Sequence, residues 1–344
     1  MSNNFKVSLV QRDKRLLNNL WFSEDQENIR DNQNSCYAEL KRQALINGID
    51  ISTEDINIPY FSSVVIFIDI PQKKYIKNRS QIWYLILSEP PSVYKRNSQQ
   101  QFHSEYDRIF TWNDDLVDNK KYYLLRFAYD LHCKENKKNF EEKNFLTLIA
   151  GAKQSNHRGS LYNERYNLIK WFCRNQPESL DLYGVGWPKN LRPIFSGRIE
   201  KYLPDFIKNS IEHFFFPNKV YKGPIARKRD VLLNYKFSIC FENIQGFNGF
   251  ITEKIFDSFC AGCVPVYWGA ENICELIPEG CFIDKRKFKT VGELFFYLQS
   301  ISSSEYVTLQ NNIDEFLRSN KVSPFIPTNF SKILIESMII DMHI

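Results

Sequence analysis

The sequence predicts an α/β chain built as two doubly wound domains, each a mostly parallel sheet flanked by helices. Strand-patterned and helix-patterned segments alternate along the chain. They do so in two blocks, separated at Lys134–Asn144 by the stretch KENKKNFEEKN, which holds one apolar residue and reads as a linker. A length of 344 residues suits about two domains, and such a chain buries roughly three quarters of its unfolded surface without covalent staples. The expected domains are 1–140 and 145–330.

The first block carries three strand candidates at 64–68, 82–88 and 108–112, each ending in polar residues or proline. The second block opens with the strand FLTLIAG (145–151), followed by a helix over roughly 160–173. Ser160 is placed to cap that helix, and Tyr162, Tyr166, Ile169 and Phe172 fall on one face of it. Leu182-Tyr183-Gly184, 235–241 and 264–268 supply further strands, with helices at roughly 253–261, 291–301 and 305–318.

Tyr235–Asp284 is the most informative stretch. Phe237, Ile239 and Phe241 alternate with Ser238 and Cys240, as on a strand. That strand ends at Glu242-Asn243, and a glycine-containing loop leads to Thr252, an N-cap position with Glu253 in the first turn behind it. Gly262 closes the helix and VPVYW forms the next strand. In an open α/β sheet, ligands bind outside the carboxyl ends of the strands. A helix start beside such an end favours phosphate.

Composition narrows the function. Hydrophobic residues make up 43% and charged residues 25%, as in an ordinary globular protein. The aromatic share of 15% is high and is assigned mostly to the core. A net charge of +5, spread along the chain, is too mild for a nucleic-acid footprint. It suits an anionic ligand or a peripheral contact with acidic lipid. The eight cysteines are irregularly spaced, and Cys260-Ala-Gly-Cys263 lacks the second pair that a zinc site needs. They read as buried thiols in a reducing compartment. No apolar run reaches the ~18 residues of a membrane span. The start, MSNNFKVSLVQRDKR, lacks the apolar core of a signal peptide.

The linked motifs Tyr221-Lys222-Gly223-Pro224, Phe241-Glu242-Asn243, Thr252-Glu253-Lys254, Val264-Pro265-Val266-Tyr267-Trp268-Gly269 and Phe282-Ile283-Asp284 occur in one order. In that order they resemble the fucosyltransferases of glycosyltransferase family 10, strongly from about 145 to 290. The resemblance implies the GT-B fold, two Rossmann-like domains facing across a cleft, and inverting transfer of fucose from GDP-fucose to a glycan hydroxyl. It implies a first domain for the acceptor and a second for the donor, and formation of an α-1,3 linkage to a GlcNAc-type sugar. Membrane-anchored members occur in animals and plants; this chain resembles a bacterial or other cytosolic type, or a trimmed one. The expected location is cytoplasmic, with a peripheral contact at the inner membrane face.

Such a transfer needs a base for the acceptor proton, cations for the leaving diphosphate, and hydrogen bonds to orient the sugar. The donor-side candidates are Arg158, Lys153, Tyr235, Glu242, Asn243, Thr252, Glu253 and Lys254. Arg158 lies just ahead of a helix start, four places before Tyr162, as a basic residue does in the family. Lys254 sits in a helix first turn, where the dipole disfavours a cation and a phosphate would welcome one. The resemblance assigns Glu253 to fucose or ribose hydroxyls and Asn243 to the donor. Glu242 either binds the donor or braces the loop. Tyr235 either stacks on guanine or belongs to the core. Glu89, at the end of IWYLILS and before Pro90-Pro91, best matches the family's base, with Asp69 and Asp107 as rivals. No metal site is expected; divalent ions would at most stimulate. The basic run Arg227-Lys228-Arg229 is expected to be solvated. The chain departs from the family at Ile244, where a Ser or Thr is usual, and at Phe250, where a Tyr is usual. These departures leave another nucleotide sugar, or a non-catalytic glycan- or nucleotide-binding role, as alternatives.

Overall fold

The computed structural model describes residues 5–23, 34–131, 133, 138–187, 204 and 219–343. The first four residues of the predicted linker, 134–137, lie outside them. Two six-stranded sheets, every pairing parallel, form the architecture.

In the first sheet the strands are β1 (Phe5–Val10), β2 (Ile49–Thr53), β3 (Val64–Ile68), β4 (Ile82–Leu87), β5 (Arg108–Thr111) and β6 (Tyr122–Leu124). Their order is β2-β1-β3-β4-β5-β6. β3 is buried at every position and β4 at all but its first. That is the pattern of a parallel sheet covered on both faces, and it is why these two strands are near-continuous apolar runs. β1, which the sequence reading passed over, is the topological switch of this sheet. Its FKVSLV is short, and its neighbours are distant in sequence, so only the tertiary pairing reveals it.

The second sheet contains β7 (Asn144–Ile149), β8 (Asp181–Tyr183), β9 (Tyr221–Gly223), β10 (Tyr235–Phe241), β11 (Val264–Trp268) and β12 (Ile283–Asp284). Its order, β12-β11-β10-β7-β8-β9, is that of a dinucleotide-binding sheet, with the strand order reversing between β7 and β10. The helices are α1 (Ser35–Ile46), α2 (Tyr162–Asn175), α3 (Lys228–Leu232), α4 (Glu253–Cys260), α5 (Ile273–Leu276), α6 (Val291–Ser300), α7 (Ser303–Arg318) and α8 (Pro327–Met342).

One large core fills the second half of the chain, and two smaller cores cover the faces of the first sheet. α8 crosses back to the first sheet. Phe330, Leu334, Ile335 and Met338 pack there with Leu40 and Ala44 of α1. At its end Asp341 takes the Arg108 guanidinium at 2.5 Å and the Tyr84 hydroxyl at 2.6 Å. This last helix, which begins at Pro327, thus packs with the first sheet and not the second.

The halves also meet through the loop between β10 and α4. Ile244 and Phe250 form a buried cluster with Trp112, and the Phe250 ring centroid lies 4.6 Å from that of Trp112. Asn248 donates to Asp115 at 2.8 Å and Asn272 donates to Asp114 at 2.9 Å. Arg126 donates to the Trp112 carbonyl at 2.7 Å and to Asp114 at 2.6 Å. Gly249 lies at φ +83°, and a Cβ there would run into the Arg126 guanidinium and the Trp112 carbonyl. The two positions that depart from the family pattern are thus the apolar part of a domain contact.

Candidate active site

The carboxyl ends of both sheets face one cleft. Beneath the ends of β7 and β10 lies a cavity of about 230 Å³, and between the sheets an outer one of about 400 Å³. Both are lined by Lys153, Asn243, Glu253 and Lys254. The inner cavity adds Arg165, Lys228 and Tyr162; the outer adds Ser88, Glu89 and Thr252.

Backbone pairing brings the pieces together. The loop after β7 is stitched to the loop after β10 by a Ser160–Ile244 bridge and by Leu161 N–H donating to the Asn243 carbonyl at 3.2 Å. The start of α2 is thereby held beside the end of β10. Ser160 is not the cap of α2, because Leu161 occupies that position.

Glu242 is fully buried and braces the loop. It accepts from the Thr252 amide and hydroxyl, both at 2.7 Å, and from Lys254 Nζ at 3.0 Å. Thr252 is the N-cap residue of α4 by position, yet its hydroxyl makes no cap hydrogen bond and serves Glu242 instead. Gly269 makes room for this, since a Cβ there would clash with the Glu242 stem and the Tyr267 hydroxyl. The Lys254 ammonium would be lowered by burial, but Glu242 and Glu253 reverse that and raise it.

Glu253 accepts from Lys228 at 3.0 Å. Burial alone would raise its carboxyl; the Lys228 and Lys254 charges outweigh that and hold it well below the usual carboxylate range. Lys228 also reaches Asp257 at 3.3 Å, and Arg229 lies 3.6 Å from Asp257. The Arg227–Arg229 run is therefore not simply solvated: its last two cations turn inward to the acidic face of α4.

Arg165, which the sequence reading missed, is buried in the inner cavity. It donates to the Glu242 carbonyl at 2.9 Å and to Asn243 Oδ1 at 3.2 Å, with its guanidinium 4.9 Å from the Tyr162 ring. Among the described residues no carboxylate pairs with it. A cation among Tyr162, Tyr166, Ile169 and Phe172 at helical spacing was a readable signal. Lys228 offered none.

Lys153 lies on the cavity rim and is exposed. Arg158 is exposed as well and lines neither cavity. Tyr235 is corrected to a structural role. It begins β10, at the end remote from the cleft, is 2% exposed, and its hydroxyl is shared with Asp181 at 2.6 Å and Tyr183 at 2.9 Å. No base could stack on it there.

Glu89 reaches the outer cavity from the end of β4. Burial, and then the Asp69 charge, raise its carboxyl, while Arg12, Lys153 and Lys254 act against them. Its two rivals sit elsewhere. Asp69 is 2% exposed and occupied by hydrogen bonds. Asp107 precedes β5, at the opposite end of the sheet, paired with Lys77 at 2.5 Å. Among the described residues no cluster of three His, Cys, Asp or Glu side chains is gathered to hold a metal.

Two facing Rossmann-like sheets, with a cation-lined cavity at the switch point of the second, make up the GT-B fold. Residues 215–310 match the model of the glycosyltransferase family 10 (fucosyltransferase) C-terminal domain. Over this segment the chain is similar to that family. The α-(1,3)-fucosyltransferase FucT of Helicobacter pylori is 35% identical over 75 residues, covering 22% of this chain and 16% of its own length. An α-(1,4)-fucosyltransferase of Arabidopsis thaliana is 35% identical over 68 residues, covering 20% and 17%. The matched segment thus spans about a sixth of these relatives. A crystal structure of an α1,3-fucosyltransferase with GDP matches the fold at TM-score 0.55 and 15% identity, over 99% of this chain and 91% of that one. An α-glucosyltransferase in complex with UDP matches at TM-score 0.55 and 10% identity, over 97% and 99%.

Proposed function

We propose that the protein is an inverting fucosyltransferase that moves L-fucose from GDP-fucose to a glycan hydroxyl, forming an α-1,3 linkage to a GlcNAc-type sugar. The observation that carries this reading is the cation set Lys153, Arg165, Lys228 and Lys254, gathered at the switch point of the second sheet with Glu89 opposite. A diphosphate is the ligand such a set fits. The matched family and the named relatives supply the sugar and the nucleotide.

In the proposed step the acceptor oxygen forms a bond to the anomeric carbon as the bond from that carbon to the GDP oxygen breaks. The acceptor proton goes to the Glu89 carboxylate, and the electron pair leaves with GDP. Lys254, Lys228 and Arg165 stabilise the charge growing on the diphosphate. Arg158, exposed just ahead of the start of α2, joins them once donor is bound. Asn243 and Glu253 orient the donor through its hydroxyls. Glu242 and Thr252 act one step back, by fixing Lys254. The first sheet carries the acceptor and the second the donor. Divalent ions at most stimulate, and no other cofactor takes part. All eight cysteines are free thiols, which supports a reducing compartment and hence the cytoplasm. No helix among the described residues is long and apolar enough to cross a membrane; any contact with the inner membrane face would be peripheral.

Titration calorimetry with a panel of GDP- and UDP-sugars tests the donor. GDP-fucose should bind tightest, with GDP alone retaining most of the affinity. A preference for a UDP-sugar would replace fucose in this reading. Ile244 and Phe250 pack at the domain contact, so their departure from the family pattern need not alter the diphosphate site.

A further inference from the structure

At the end of β3 the backbone does something unusual for a residue with a side chain. Asp69 adopts φ +60°, in the left-handed region, where few residues other than glycine and asparagine or aspartate settle. Its carboxylate explains the choice. Oδ1 accepts from the Ser88 amide at 2.8 Å, the Ser88 hydroxyl at 2.9 Å, the Glu89 amide at 3.0 Å and Asn97 Nδ2 at 2.6 Å. The Asn97 amide also donates to the Glu89 carbonyl at 2.9 Å. Its own Oδ1 accepts from the Ile70 amide at 3.1 Å. The guanidinium of Arg12, from the loop after β1, lies 3.6 Å from Asp69 Oδ2 and over the Tyr94 ring. The turn that presents Glu89 is therefore tied to one buried carboxylate.

We propose that Asp69 is the positioning residue of Glu89: it fixes the Ser88–Glu89 backbone at the cleft and holds a negative charge behind the Glu89 carboxylate. The inference rests on Glu89 being the base. Asp69 touches no substrate. It acts through geometry, because a base must lie within hydrogen-bond reach of the proton it takes. It also acts through charge, because a like charge nearby disfavours ionisation and makes the carboxylate a stronger base. The groups that bear on Glu89 from the surrounding elements are Asp69 and Arg12 from the first sheet, Lys153 and Lys254 from the second, and Tyr162 of α2. Asp69 is the one whose charge opposes the three cations.

Asp69→Asn keeps the acceptor oxygen for the Ser88 and Glu89 amides and removes the charge. Carbon-13 NMR of labelled glutamate carboxyls, with Glu89 assigned by its loss in Glu89→Gln, reads the effect without any turnover. The Glu89 titration should move to lower pH in Asp69→Asn, and in an assay the acid limb of the pH–rate profile should move with it. Donor affinity should stay the same. Arg12→Gln, at a more exposed side chain, should move the titration to higher pH, and it keeps the test open if Asp69→Asn does not fold. A Glu89 titration that stays in place in the folded variants overturns the inference about Asp69. An acid limb that survives in Glu89→Gln instead overturns Glu89 as base and leaves the NMR result standing.

Discussion

At the scale of single residues, Glu89 and Lys254 carry opposite kinds of prediction. A carboxyl raised in the folded state contributes its full stability only below its unfolded pKa, near 4.3, and loses it as pH rises through the folded value. Glu89 is such a group. Glu89→Gln should therefore be more stable than the parent at neutral pH, with the difference in melting temperature closing as pH falls towards 4. The same variant should lose roughly 10²–10⁴-fold in turnover while binding donor normally. A residue of purely structural use would show neither the gain in stability nor the selective loss. Lys254 behaves the other way. It is the cation beside the fully buried Glu242, and breaking a buried pair from one side costs about 3–5 kcal/mol. Lys254→Ala should lose GDP affinity and melt early, so affinity is best compared in the Glu242→Gln/Lys254→Met double variant, where the orphaned charge is gone. Normal GDP affinity in that protein would remove Lys254 from the diphosphate site. Because the Lys254 ammonium is raised, its stabilising share is complete below about pH 10.4 and falls only at higher pH.

At the scale of elements, the decisive unit is the β10–loop–α4–β11 segment. Glu242 at the end of β10, Thr252 and Lys254 at the start of α4, and Gly269 after β11 form one bracket. Gly269→Ala should push the Glu242 stem aside and weaken donor binding, although no donor atom is proposed near Gly269. Unchanged donor affinity in a folded Gly269→Ala protein would detach the bracket from the site. This segment was the most legible part of the sequence, because its strand alternation, loop and helix start are all local. What stayed hidden depends on distant partners. Nothing in FKVSLV announces a switch strand. Tyr235 looks equally fit for stacking or for burial until its place at the far end of β10 is known. Lys228 reads as a surface cation until α3 is seen to aim it at Glu253 and Asp257. Arg165 is the exception: its spacing on the apolar face of α2 was visible and went unread.

At the scale of the molecule, the two sheets are held by contacts that surround the cleft. One is the Trp112–Phe250 cluster with its Asp114–Asn272 and Asp115–Asn248 bonds. Another is Ser155 donating to the Ser92 carbonyl at 3.0 Å. The last is α8, which leaves the second half of the chain to complete the core of the first. A chain ending at Ile326 would expose the apolar face of α1 and leave Arg108 without Asp341. It should fail to give a cooperative unfolding transition for the first sheet. A truncated protein that melts as the parent does would show that α8 is dispensable.

The proposed reaction is transfer of fucose from GDP-fucose with inversion in this cleft, using protein cations. The most direct measurement incubates the purified protein with GDP-fucose and an acceptor array in the presence of chelator, and reads the product linkage and anomeric configuration by NMR. Direct inverting transfer aided by protein cations should give a fucosylated acceptor of inverted configuration, formed without added metal. A product of retained configuration, transfer restored only by a divalent ion, or transfer from another nucleotide sugar alone would contradict it.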